Sequence, residues 1–172
     1  QFPYRELNGL SLPGVNLDKA NFEGARILSA NLISANLNQI NFKNTLIKDS
    51  NLSGTDLQLA DLSRSELFQV NLNKTIATGA TFSRTDANGS NLSQGKLDLS
   101  DLSRASFVNC DFTQTNFNGS SLGMATMLNC VFVDAILTQV SASEANFSGS
   151  DFSNAVLSGN LTGANLQNCN LK

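Results

Sequence analysis

The chain has no histidine and no tryptophan, a single tyrosine and only two prolines in its 172 residues. Without histidine, the commonest general base and a frequent zinc ligand are both missing. No Ser, Cys or Asp stands in a nucleophile motif, and no glycines have P-loop or dinucleotide-binding spacing. The sequence therefore reads as non-enzymatic, with no catalytic, cofactor-binding or metal-binding residue. Charge is also scarce, at 15% of residues with a net of −3, which argues against a basic nucleic-acid binder. No apolar run approaches the roughly 18 residues of a membrane span. No leader peptide is apparent, and the initial Gln reads as the start of a processed or trimmed chain.

What the sequence does have is a period. From Phe2, every fifth residue to Leu157 is apolar: of these 32 positions sixteen are Leu, ten Phe, two Ile, one Met and three Ala. Neither a 3.6-residue helix nor a two-residue strand keeps that spacing on one face. Two residues before each large centre the side chain is usually small, as at Ala20, Ala25, Thr55 and Ala60. The residue just before the centre is Asn or Asp in half of the units, and nine of the twelve glycines fall two residues after one. Three extended residues alternating in, out, in, followed by a two-residue turn, account for all of these preferences. Four such units make a 20-residue circuit.

The units ANF at 20–22, ANL at 30–32, TDL at 55–57 and SDF at 150–152 resemble the A(D/N)LXX motif of the pentapeptide-repeat family, and the resemblance covers residues 2–171. It implies an all-β fold, a right-handed quadrilateral β-helix of about eight coils forming one domain over residues 1–172. Residues 20 apart then stack roughly 4.8 Å apart. Interior columns such as Phe112–Phe132–Phe152 put like over like. Ala77 is undersized between Leu57 and Leu97, and predicts a pinch, a void or a slip that turns Ile76 inward. The period breaks once, where Leu157 is followed by Leu161 after four residues, so a tightened or bulged corner is expected near 158–160.

Few features remain outside this scaffold. Cys110, Cys130 and Cys169 hold small inward positions and read as buried free thiols rather than a disulfide or a zinc site. Arg64, Arg84 and Arg104 share one corner column. An ion-pair ladder with Asp61, Glu66, Asp86 and Asp101 is the simple account, and an anion-binding strip the sharper one. Leu28, Leu46, Phe68, Val108 and Leu128 point outward from one wall, with a second group at Ile136, Val156 and, further back, Ile76; both read as possible contact surfaces. Thr45, Thr55, Thr75, Thr85 and Thr115 fall at inward positions, which argues against an outward threonine ladder for ice or mineral.

The function expected is a structural or interaction scaffold with an unknown protein partner. The family resemblance implies an alternative, a DNA mimic that binds type II topoisomerase (gyrase). The small net charge and the arginine column argue against it. The resemblance also implies a bacterial, in particular cyanobacterial, source and a cytoplasmic, periplasmic or thylakoid-lumen location. The last repeat, NCNLK, leaves an uncovered strand edge, for which the expectation is either a homodimer through the C-terminal end or a native chain that continues past Lys172. Light scattering on the concentrated chain separates the two; a strict monomer counts against end-to-end pairing.

Overall fold

The computed structural model describes residues 1–172, and parallel bridges between residues 20 apart run along nearly its whole length. Asn31 pairs with Asn51, Asn51 with Asn71, and Asn71 with Asn91, and other columns repeat the pattern. The fold is thus an all-β repeat in which the chain lies on itself once per 20-residue coil. Five short segments qualify as strands: β1 (Arg26–Leu28), β2 (Leu46–Lys48), β3 (Glu66–Phe68), β4 (Ile136–Ser141) and β5 (Val156–Asn160). The first three form one parallel sheet in the order β1-β2-β3, and β4 pairs with β5.

Each five-residue unit follows from its side-chain chemistry. The centre's amide donates to the carbonyl 19 residues on, as Leu32 N does to Asn51 O at 2.8 Å, and the outer residue's amide donates 21 residues back, as Asn51 N does to Ala30 O at 2.8 Å. Within most units the chain closes a β-turn, for example Ala60 N to Leu57 O at 3.0 Å. The third residue of that turn has positive φ in every unit, with 24 of these residues not glycine. Positive φ at this position defines a type II turn, for which glycine is the usual occupant. The period places a turn in every unit, and glycine occupies ten of these corners.

The outer Asn or Asp has a definite task. In all sixteen units that carry one, its Oδ1 accepts the amide of the residue two further on, at 2.9–3.3 Å. That amide has no backbone acceptor in these units. The side chain completes an Asx-turn and satisfies a donor that would otherwise depend on water. Asn160 and Asn165 do the same after the break in period.

The interior is filled as the period predicts. Every centre from Phe22 to Phe152 and every small position from Ala25 to Ser150 is buried. Phe112 and Phe132 stack at 5.0 Å, and Phe132 and Phe152 at 4.6 Å with rings 4° from parallel. Buried hydroxyls lose no hydrogen bond: Thr45 Oγ1 donates to Phe22 O at 2.9 Å and Ser150 Oγ to Met127 O at 2.9 Å. No buried side-chain nitrogen or oxygen is without a partner. The register does not slip at Ala77, which is fully buried while Ile76 is exposed. Beside Ala87, the rings of Phe82 and Phe107 approach to 6.5 Å.

The four-residue step is absorbed at one corner. β4 and β5 pair normally at Leu137↔Leu157, then resume at Val140↔Gly159, and later bridges such as Asn146↔Asn165 span 19 residues. Gly159 adopts φ +134°, and a Cβ there would run into the carbonyl oxygen of Val140. Gly159→Ala should therefore lower the denaturation midpoint and loosen the last coil. Asn71→Ala, which removes one Asx bond, should cost about 1 kcal/mol. Guanidinium titration of both variants checks this; a Gly159→Ala midpoint equal to the parent's contradicts the strained corner.

Candidate interaction surfaces

The wall built on β1, β2 and β3 carries the first apolar group. Leu28 and Phe68 end β1 and β3, Leu46 opens β2, and Val108 and Leu128 continue the Leu28–Phe68 column. All five are half-buried, because each leans on the coils beside it. They do not form an unbroken strip. Lys48 pairs in register with both Leu28 and Phe68, and Asn88 stands between Phe68 and Val108. Asn88 is held in place, its Oδ1 accepting the Val108 amide at 2.7 Å and the Ser106 hydroxyl at 3.0 Å. Phe68, Asn88 and Val108 line a shallow groove of about 610 Å³ with Lys48 at one edge.

Ile136 and Val156 face each other across β4 and β5 and are 44% and 53% exposed. Ile76 belongs to the same column but is separated from them by Lys96 and Asn116. Leu59 and Leu99, which sequence reasoning passed over, are more exposed still, at 61% and 68%. Both stand at a corner with positive φ, and each leans over the glycine one coil later. A Cβ on Gly79 would come within 2.9 Å of Leu59 Cδ2, and one on Gly119 within 2.8 Å of Leu99 Cδ2. A leucine followed 20 residues later by glycine, twice over, was the available signal.

Arg64, Arg84 and Arg104 occupy equivalent corners of three successive coils, with φ of +59° to +60° and exposed side chains. The ion-pair ladder expected for them is not formed. The four ion pairs of the chain are Lys19–Asp18, Arg26–Glu6, Lys43–Asp61 and Lys48–Asp49. Asp61 is taken by Lys43 at 2.9 Å and by Ser63, whose hydroxyl and amide donate at 2.6 and 3.0 Å. Asp101 accepts the Ser103 amide, at 2.9 Å. The corner turn throws each guanidinium outward while these carboxylates fold back on their own backbone.

The thiols are structural. Cys110 and Cys130 are free and buried, and donate to the carbonyls of Ala87 and Phe107 at 3.1 and 2.7 Å. The hydrogen bond with Cys110, followed by burial, pushes the Cys130 thiol far above its ordinary range. A group held protonated in this way is a poor nucleophile. No three His, Cys, Asp or Glu side chains come together as a metal site would require. Thr45, Thr55, Thr75, Thr85 and Thr115 are all buried, so no threonine ladder faces solvent from these positions.

A family model described as pentapeptide repeats (8 copies) matches residues 28–64 and 65–104, and a second, pentapeptide repeats (9 copies), matches residues 112–156. The chain belongs to the pentapeptide-repeat family. Among solved members, HetL, a protein involved in heterocyst differentiation regulation from the cyanobacterium Nostoc sp. strain PCC 7120, is 23% identical with a TM-score of 0.54, covering 99% of this chain and 85% of HetL. A pentapeptide-repeat protein of the Arabidopsis thaliana thylakoid lumen is 29% identical with a TM-score of 0.52, over 54% of this chain and 64% of its own. A trypsin-treated form of QnrB1, a plasmid-mediated fluoroquinolone resistance protein, is 20% identical with a TM-score of 0.56, over 96% and 84%. No curated protein matches the chain. No helix is long and apolar enough to cross a membrane.

The Lys43–Asp61 pair has a pH signature. Partial burial alone would raise the Asp61 pKa, but hydrogen bonds from Ser63 and Lys43 outweigh it and hold the carboxyl below its ordinary 3.8. A depressed carboxyl contributes stability that is present above 3.8 and lost as pH falls through the lower folded value. Asp61→Asn should therefore lose less stability than the parent between about pH 5 and pH 2. Thermal melts across that range check this, and superimposable acid limbs would sink it.

Proposed function

We propose that this protein is a non-enzymatic interaction scaffold, a right-handed quadrilateral β-helix of about eight coils whose rigid walls dock a protein partner. The observation that carries this reading is the wall at Leu28, Leu46, Phe68, Val108 and Leu128. Two of its apolar side chains, Phe68 and Val108, line a groove together with Lys48, Gln69, Asn109 and a hydrogen-bonded Asn88. Apolar area bordered by polar groups that are already oriented suits protein contact, since the wall loses little side-chain freedom on binding. Ile136 and Val156 form a second, smaller contact area, with Ile76 further along the same column. A homodimer through the C-terminal end would leave the first area open to partners, whereas Val156 lies on β5, the last strand of its sheet, beside that end. The membership of regulatory and resistance proteins in the same family is compatible with action by binding rather than catalysis.

Mimicry of DNA toward gyrase is the weaker alternative. A mimic needs an ordered run of negative charge, whereas the middle coils present three arginines free of carboxylate partners. Affinity capture from the source cell tests the docking wall directly. The expected partner is retained by the parent and by Gln94→Glu on another wall, and is lost with Phe68→Asp combined with Val108→Asp. Retention by a folded double variant contradicts the assignment of the wall. Inhibition of gyrase supercoiling at micromolar protein would instead favour mimicry.

A further inference from the structure

One corner column reads Tyr4, Gly24, Asn44, Arg64, Arg84, Arg104, Met124 and Glu144, each 20 residues from the last, with the three arginines consecutive in its middle. Consecutive members are locked together through the backbone. Arg64 N donates to Ser83 O at 3.0 Å, and Arg84 N to Ser103 O at 3.1 Å. The backbones of the three arginines therefore rise in a row at roughly the 4.8 Å strand spacing, and their exposed side chains leave from the same corner. Like charges so close repel, and none has a carboxylate within 4.0 Å. Glu66, Asp86 and Asp101 on the flanking columns lower the local field without pairing. At the lower end of the row is a cleft of about 330 Å³, lined by Lys43, Asn44, Ser63 and Arg64 with no apolar side chain. Asp61 neutralises Lys43 beside it, which leaves the Arg64 guanidinium as the uncompensated charge.

We propose that this row is a binding site for a linear phosphate-bearing polyanion, with one terminal phosphate in the cleft and the following phosphates along Arg84 and Arg104. The guanidinium fork matches tetrahedral oxyanions bidentately. The side-chain Nδ2 of Asn44, which donates to no protein atom while its backbone amide donates to Ser63 O at 3.2 Å, and the remaining Lys43 hydrogens supply further donors to the cleft. A compact anion can engage only the cleft, so the row selects for length. A nucleic acid is the poorer fit, because no aromatic side chain lies between Asn44 and Arg104 in this column to stack a base. The site lies on a different edge from the groove at Phe68 and does not depend on it.

The test is calorimetry on the whole chain with three probes: sodium tripolyphosphate, orthophosphate and a short poly-aspartate peptide. Glutamine already occupies the equivalent corner at Gln39, Gln69, Gln94, Gln114 and Gln139 with the same backbone conformation, so Arg→Gln variants keep the fold. Tripolyphosphate should bind about tenfold or more tighter than orthophosphate, and Arg84→Gln should remove most of that difference. Tripolyphosphate binding should weaken as salt rises, and less steeply once an arginine of the row is removed. Lys74→Gln, a charge change on another corner, should alter nothing. Equal weakening by Lys74→Gln and Arg84→Gln would reduce the effect to net charge and overturn the site. So would no binding at about 1 mM tripolyphosphate, or tighter binding of poly-aspartate, which would assign the row to acidic protein segments instead.

Discussion

The whole structure depends on a corner every fifth residue, where the backbone enters the left-handed region. Without it the chain would run on as a strand, the centres would alternate faces, and no interior column would form. For a non-glycine residue this conformation costs roughly 1–2 kcal/mol, and 24 residues of the chain adopt it. The cost is tolerated because the corners are held from several directions. In most units the preceding centre closes the β-turn, in half of them an Asn or Asp side chain takes up the adjoining amide, and backbone bonds reach the neighbouring coils. Regularity is thus enforced locally and repeatedly rather than by one large core.

That division of labour explains why so much of the molecule was readable from residue types. The period of five located every buried centre, the inward threonines, the stacked phenylalanines and the corner near 158–160. These depend on which way a side chain must point, and polarity alone decides that. Asn and Asp were recognised as outward, yet their role as acceptors for an otherwise unpaired amide needed the turn geometry. At Ala77 the pattern left a slip open, and the surrounding register proved stronger than one undersized side chain.

The surface was less legible, because its outcomes turn on small competitions. Arg64, Arg84 and Arg104 have acidic neighbours in sequence columns, and spacing alone favours pairing. The carboxylate of Asp61 instead meets Ser63 and the Lys43 ammonium, and that of Asp101 the Ser103 amide, so closer donors take the acceptors the arginines would need. Leu28 and Phe68 looked exposed on a wall, but stacking on adjacent coils half-covers them. Leu59 and Leu99 follow no rule of the repeat, and their lean over Gly79 and Gly119 is visible only in three dimensions.

The corner at Gly159 carries an evolutionary consequence. Loss of one residue there shortens a corner but leaves every later side chain facing as before, so the damage is confined to a single step. Loss of a residue from an extended segment would turn all the following centres outward and empty the core beyond that point. The chain thus has a grammar for length change, in which corners can be edited and sides cannot. Growth by whole 20-residue units or trimming at a corner is permitted, and the Asn146↔Asn165 pairing shows that a 19-residue coil keeps its side chains in register.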